Sequence, residues 1–499
     1  MLRSALPAHG LSLLSWRALV CRTECHDEPS TRSGDRAARF LFFFLWRFGS
    51  AEAGPVFPMD VIVIGGGVAG VTTAYALREA GHRVCVIERH TTVAQEASFG
   101  AGGLLLPSAL DTWFGPTMPG SRWQTRFGRS SGLIYRPGMN LEVRGWMRRW
   151  RAERKPERFA AQFGRLRLLS DLSRTELAAI ESRHNLEIEQ RSGVLHLFRS
   201  SQDLKQAASA LALLKEIEAP HRILGAAECV ALEPSIPATQ PLAGGVLLPG
   251  DRSANCPLFA KQLKQLLNDN DVRFMLESTV LAIQVQASGV RVKLTARVDP
   301  FARRGGAQSQ AGEDISADAV VVAAGAHSLE LLTDAGLRLP LHPVRMHALM
   351  APILHEELAP HLTLVDTAKR ITISRLNNRM KLTGAALIQS RERAFAAPDT
   401  VLRNQALDLL AQAAHDWAPG AVKFSSARQW DGVRLLSPDG LPVVSRTAHP
   451  RLFVNLAHGP SGWGLATGAA ALLAELVSGT SEPAADELLG ALSAARFKR

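Results

Sequence analysis

The chain holds 499 residues, 46% hydrophobic and 21% charged, a balance that excludes a wholly disordered or collagen-like polypeptide and leaves room for about three domains or lobes. The longest apolar run, Phe40 to Trp46, falls far short of the roughly 18 residues a transmembrane helix needs, so none is predicted. The net charge of +11 comes from 57 basic and 46 acidic residues scattered along the chain, which reads as a basic but ordinary surface.

Residues 1–58 differ from the rest of the chain. They carry seven arginines, no lysine and five acids, and no stable period of two or 3.6. They read as a leader or disordered extension ahead of a natural start at Met59, with an Arg-rich targeting peptide as the alternative. The five cysteines, Cys21, Cys25, Cys85, Cys229 and Cys256, are odd in number and form no CxxC pair. Neither a disulfide framework nor a metal site is expected, and a reducing compartment fits.

From Met59 the character changes. Val61-Ile62-Val63-Ile64 is a continuous apolar, β-branched run, as a buried parallel strand requires. Gly65-Gly66-Gly67-Val68-Ala69-Gly70 comes next and matches GxGxxG. A helix with Ala74 and Leu77 on one face ends at Gly81, and a second strand, Arg83 to Ile87, runs into Glu88 and Arg89. Each part has a task at a dinucleotide. Gly65 permits the tight turn, Gly67 the approach of the pyrophosphate, and Gly70 the packing of helix on strand. The helix N-terminus attracts the phosphates, and Glu88 accepts from a ribose diol.

Further along, Arg144 to Arg158 holds seven basic and two acidic residues, with Trp146 and Trp150 four apart. It reads as a solvated helix face with its tryptophans in the core; the alternative is an anionic membrane surface. Residues 163–184 and 203–219 read as amphipathic helices, with a strand at 193–198 between them. A helix is predicted over 257–270, and strands over 272–275, 280–285 and 290–294. Residues 297–313 form a polar hairpin loop, and 317–325 a buried strand with a small-residue end. Pro438-Asp439-Gly440 supplies turn chemistry within 433–445. Leu452 to Ala457 is a strand that leads into His458-Gly459-Pro460-Ser461-Gly462-Trp463-Gly464 and a small-residue helix over 465–478. A second glycine-rich strand-to-helix turn, far from the first, suits a large cofactor. A helix N-terminus there would stabilise the negative charge of a reduced flavin.

Together these residues resemble the FAD-dependent D-amino acid dehydrogenase (small-subunit) family, a branch of the glycine oxidase and sarcosine oxidase-like flavoproteins. The resemblance runs from about Met59 to about Gly479. It rests on the GGGVAG unit and its acid, Ala97-Ser98-Phe99 with Gly102-Gly103, and the strand Gly193 to Arg199. It rests also on Ala323-Ala324-Gly325, Ile371 to Arg379, Trp430 to Val444, and the loop His458 to Gly464. It implies an α/β fold with a discontinuous Rossmann-like FAD-binding domain (59–105, 160–186, 247–338 and 430–480). An inserted mixed-sheet substrate domain (106–159, 187–246 and 339–429) and a tail (481–499) complete it.

The resemblance also implies an activity. FAD-dependent oxidative deamination would convert D-amino acids to 2-oxo acids and ammonia, with hydride passing from Cα to flavin N5 and electrons to a quinone or other acceptor. The alternative is an oxygen-using glycine or sarcosine-type amine oxidase that makes hydrogen peroxide. Arg434 is the expected carboxylate anchor, since a guanidinium grips a carboxylate with two parallel bonds. His347 or His458 is the expected acceptor of the ammonium proton. Cofactor contacts are expected from Val61 to Gly70, Glu88, Arg89, Ser98, Gly102, Gly103, Val280, Ala324, Gly325, Gly432, Gly459, Gly462, Trp463 and Gly464. No nucleic-acid partner is expected, and the location implied is cytoplasmic, with peripheral membrane contact if 144–158 meets lipid.

The chain departs from the family pattern at several points. Ala457-His458-Gly459 stands in place of GHG, Met346-His347 in place of a Gly-Tyr pair, Thr383-Gly384 in place of Gly-Gly, and Gly100 in place of an asparagine. Only two tyrosines occur, Tyr75 and Tyr135, so His347 is the expected replacement for a tyrosine lid. A flavoprotein that has lost turnover is a further reading of these departures.

Overall fold

The computed structural model describes residues 57–106, 108, 132–135, 140–153, 155–286, 288–295, 314–481 and 483–497. Nearly all of the expected leader and the loop 297–313 lie outside them. The strands beside that loop, Val290–Leu294 and Asp314–Ala317, pair antiparallel as a hairpin connection requires.

The first sheet has six strands in the order Val443–Arg446, Leu452–Leu456, Ala319–Val322, Asp60–Ile64, Arg83–Ile87, Arg273–Met275. All run parallel except the edge strand Val443–Arg446. The central strand is apolar at four successive positions because both of its faces are covered. Val61 and Val63 join a core built with helices Val68–Glu79, Pro156–His184, Cys256–Asn268 and Gly462–Ser478. Ile62 and Ile64 face a second core, shared with strands Val280–Val285 and Val290–Leu294 and helix Ser328–Asp334. This is a doubly covered Rossmann-like sheet assembled from distant segments.

The second sheet is mixed. Its main path runs Arg428–Leu436, His342–Pro352, Arg379–Ile388, Ile371–Leu376, Thr363–Asp366, Arg191–Phe198, Gly244–Ser253, Leu104–Leu105. One face packs on helix Thr400–Trp417. At one end of that face, Asp366 accepts from the Arg199 guanidinium and the Trp417 indole, and Asp416 accepts from Arg199 and Lys369.

Residues 104–105, 247–253 and 430–436 carry their backbone hydrogen bonds to strands of the second sheet and therefore sit on it. Trp146 and Trp150 stack at 5.6 Å between centroids and are buried against Val344, Met346 and Leu436. They are core residues, so the membrane reading of that helix loses its aromatic anchors. Among the described residues, no helix is long and apolar enough to cross a membrane.

Candidate active site

The glycine turn is as tight as its sequence demands. Gly65 has φ +109°, and a Cβ there would lie 2.6 Å from Ala323 O. A Cβ on Gly70 would lie 1.8 Å from Gly65 O, so only hydrogen fits where helix meets strand. Gly67 caps the helix without a side chain. Val68 N–H donates to Ser98 Oγ at 2.9 Å, which ties the expected flavin-facing segment to the start of the helix. Glu88 is buried and accepts from Gly66 N–H at 2.6 Å and His90 N–H at 2.9 Å. A carboxylate has about four lone-pair sites, so these bonds orient it and leave capacity for a ligand diol.

A cavity of about 400 Å³ runs along this turn. Ile64, Gly65, Gly67, Val68 and Ala69 border it at the turn, with Glu88, Arg89, Ser98 and Val280 beside them. Ala324, Gly325, Gly459, Gly462 and Trp463 border it farther on. Val61, Ile62 and Val63 do not line it; they are core residues that fix where Gly65 stands. Gly66 and Gly70 also act from behind, through the Glu88 bond and the helix contact. Gly464 packs on 104–106, where a Cβ would be 3.4 Å from Leu104 O.

Whether this cavity suits a flavin dinucleotide can be tested on its polar atoms. Asn455 Oδ1, His458 Nε2 and Trp463 Nε1 are buried without a hydrogen-bond partner among the described residues, and all three residues line the wall. Orphaned buried polar atoms call for a ligand or water. A long cavity with a phosphate-type turn at one part, an acid for a diol and polar orphans at another fits FAD.

A smaller cavity of about 50 Å³ adjoins it, and Ala101, Arg434 and Trp463 border both. One row crosses the second sheet beneath it, and Thr383, Thr372, Val365 and His196 of that row form its floor. Trp430 pairs with Ala348, Ala348 with Thr383, Thr383 with Thr372, Thr372 with Val365, and Val365 with His196. The segment from Gly100 to Leu106 forms its roof. A Cβ on Gly100 would meet the Trp430 ring, and one on Gly102 would lie 2.5 Å from Thr383 Oγ1. Leu106 packs on Val194 and Val365. Gly102 and Gly103 border this smaller cavity. Gly432 lies outside both linings; a Cβ there would be 2.2 Å from Trp430 Cζ2, so its part is to admit the indole.

Arg434 is buried at the junction. Its guanidinium donates to Pro460 O at 3.1 Å, Ala97 O at 3.1 Å and Gly100 O at 2.7 Å. These bonds orient the cation and clamp the segment 97–100 to the loop that starts helix Gly462–Ser478. Lys381, which no sequence motif marked, lies in the same region. Burial pushes its ammonium down to about 8, and its Nζ donates to Phe99 O. Arg370, likewise unmarked, is buried on the border of the smaller cavity. No Asp or Glu is among the described residues lining that cavity.

The two histidines expected to take the ammonium proton each border a cavity. His347 borders the smaller cavity, yet it pairs with Asp431, whereas Met346 pairs with Gly432 and Val344 with Arg434. Alternation therefore directs His347 to the face of Asp431 and Arg345, opposite to Arg434. Its Nδ1 is 2.7 Å from Ala385 O, and burial lowers its pKa. His458 borders the larger cavity, with a pKa pushed by burial down to about 4. A group that weakly basic stays neutral near pH 7 and is a poor receiver of an ammonium proton.

Comparison with known proteins places these features. Residues 60–476 match the family model of FAD dependent oxidoreductases (DAO). A D-amino acid dehydrogenase of Rhizorhabdus wittichii is 34% identical over 423 residues, covering 84% of this chain and 96% of that protein. One from Rhizobium johnstonii is 34% identical over 424 residues, with the same coverage. Among solved structures, glycine oxidase from Geobacillus kaustophilus superposes with a TM-score of 0.60 at 21% identity, covering 85% of this chain and 96% of that one. L-proline dehydrogenase from P. horikoshii gives 0.61 at 15% identity, covering 89% and 99%. The structural likenesses speak to the fold.

Proposed function

Since the chain belongs to the FAD dependent oxidoreductases, and within them to the D-amino acid dehydrogenase family, we propose that it oxidatively deaminates D-amino acids to 2-oxo acids and ammonia and passes the electrons to a quinone-like acceptor. The observation that carries this reading is the junction at Arg434. The cavity along the glycine turn meets a small cavity with a cationic border and no carboxylate among the described residues of its lining.

The bound flavin supplies the two-electron sink for the hydride that leaves the substrate Cα. The chain's own residues bind and orient. Arg434, held by three backbone carbonyls, presents a fixed positive charge to the substrate carboxylate, with Arg370 as a second cation on the same cavity. Holding the carboxylate there restricts where Cα sits against the flavin, so proximity does the work. Hydride loss needs the amine neutral, and with His347 turned away and His458 so weakly basic, its proton goes to solvent. The imino acid then takes up water and releases ammonia.

The test is anaerobic flavin bleaching of the purified holoprotein. D-alanine should bleach it and L-alanine should not. Reoxidation by a quinone analogue and not by air supports the dehydrogenase; rapid reoxidation by air with peroxide supports the amine oxidase. Bleaching by no D-amino acid overturns the reading.

A further inference from the structure

His196 stands at the far end of the row from Trp430. It lies three strand spacings beyond Thr383, about 14 Å across the sheet. It is 2% exposed and lines the smaller cavity, and its Nε2 has no hydrogen-bond partner among the described residues. No packing need explains an imidazole at this point. Its cross-strand partners are Val365 and Val246, and Val365, Val194 and Leu106 form a small apolar cluster that a leucine would suit better. A buried polar atom left unpaired forfeits its bond to water and gains nothing in return, so something must meet it when the site is filled.

The chemistry of the spot narrows what that is. Burial pushes the imidazole pKa down to about 4, so the ring is neutral. A neutral imidazole offers one donor and one acceptor. Apolar neighbours make a charged partner costly to desolvate. A carboxamide is neutral, carries both donor and acceptor, and can sit at the end of a side chain. Arg434 and His196 border the same cavity, so a substrate held by its carboxylate at Arg434 has its side chain in the space that His196 also faces.

We propose that His196 is a specificity-determining residue that hydrogen-bonds the tip of the substrate side chain, and that the preferred substrates are D-amino acids ending in a carboxamide, D-glutamine and D-asparagine. This rests on the D-amino acid activity proposed for the same site.

The experiment measures kcat/KM of the FAD-loaded enzyme, with a dye acceptor, for D-glutamine against D-methionine and D-asparagine against D-leucine. Each pair matches length and differs at the tip. The wild type should favour the carboxamide by about 10-fold or more in each pair, because a site built to hydrogen-bond discriminates against analogues that cannot. His196→Leu should collapse or invert both ratios, and His196→Gln should keep most of them. Flavin absorbance and far-UV circular dichroism confirm that each variant is folded; if the leucine variant does not hold FAD, His196→Met carries the same expectation. A wild type that favours D-methionine and D-leucine overturns the proposal, as does an unchanged ratio in the leucine and methionine variants. Failure of every D-amino acid, D-alanine included, to reduce the flavin overturns the activity reading itself; oxidation of D-alanine with no carboxamide preference overturns this proposal alone.

Discussion

The indole of Trp430 fills the space that a side chain on Gly100 would need: a Cβ built there would lie 1.9 Å from Cζ3. The absence of an asparagine at this position thus has a local cause. Ring and glycine are two halves of one contact between the second sheet and the flavin-facing segment. Gly100→Ala should destabilise the holoprotein by about 1–3 kcal/mol through overpacking. The loss should shrink in the double variant with Trp430→Ala. Thermal melts of the single and double variants check this, because contacting residues couple and distant ones add.

Arg434 makes directional bonds that lysine cannot copy. Arg434→Lys should lower kcat/KM for D-alanine by about 100-fold, the loss of roughly 3 kcal/mol of charge-assisted hydrogen bonding. Steady-state kinetics on FAD-saturated protein checks it. A change under about threefold, less than one ordinary hydrogen bond, would remove Arg434 from the carboxylate site.

Glu88 is held by two backbone N–H groups at the edge of the larger cavity. Glu88→Ala should weaken FAD binding by about 10–100-fold, since it removes a charge-assisted acceptor from the expected ribose site. Glu88→Gln, which retains an acceptor, should lose less. Fluorescence titration of apoprotein with FAD reads both.

Stability should depend on acid through Asp416. Burial raises its pKa, but hydrogen bonds from Lys369, Gln412 and Arg199 outweigh that, and the net shift is downward. A carboxylate with a depressed folded pKa contributes stability above its unfolded pKa of about 3.9, lost as pH falls through the folded value. Asp416→Asn should therefore lower the melting temperature at pH 7 and flatten its fall below about pH 4. Breaking a buried ion pair from one side costs about 3–5 kcal/mol. Melting curves from about pH 3 to about pH 7 on both proteins measure the slope.

How much of this was legible in the sequence depended on distance along the chain. The turn Gly65 to Gly70, its strand and Glu88 lie close together in sequence, and their spacing carries the geometry. The strand 319–322 and helix Gly462–Ser478 were readable for the same reason: each announces itself by a local run of apolar or small residues. The position of His347 was not, because the face a strand residue takes depends on its partner, and that partner is Asp431, far along the chain. The floor row from Trp430 to His196 needs five pairings at once, and no local pattern holds them. Lys381 and Arg370 escaped notice likewise, since in the sequence alone they look like ordinary strand-edge cations.

The order of strands in the first sheet has a consequence for synthesis. Strand Asp60–Ile64 is made early, but its neighbour Ala319–Val322 comes about 255 residues later, and Leu452–Leu456 later still. At about 5–20 residues per second, the opening strand pairs early with Arg83–Ile87 on one side but waits tens of seconds on the ribosome for its partner on the other. The second sheet, whose main strands lie between Arg191 and Leu436, can close first. The nucleotide cradle is then completed late, and a chain cut short before Leu452 would carry the GxGxxG turn on a sheet of four strands, with Val443–Arg446 left without its partner Leu452–Leu456.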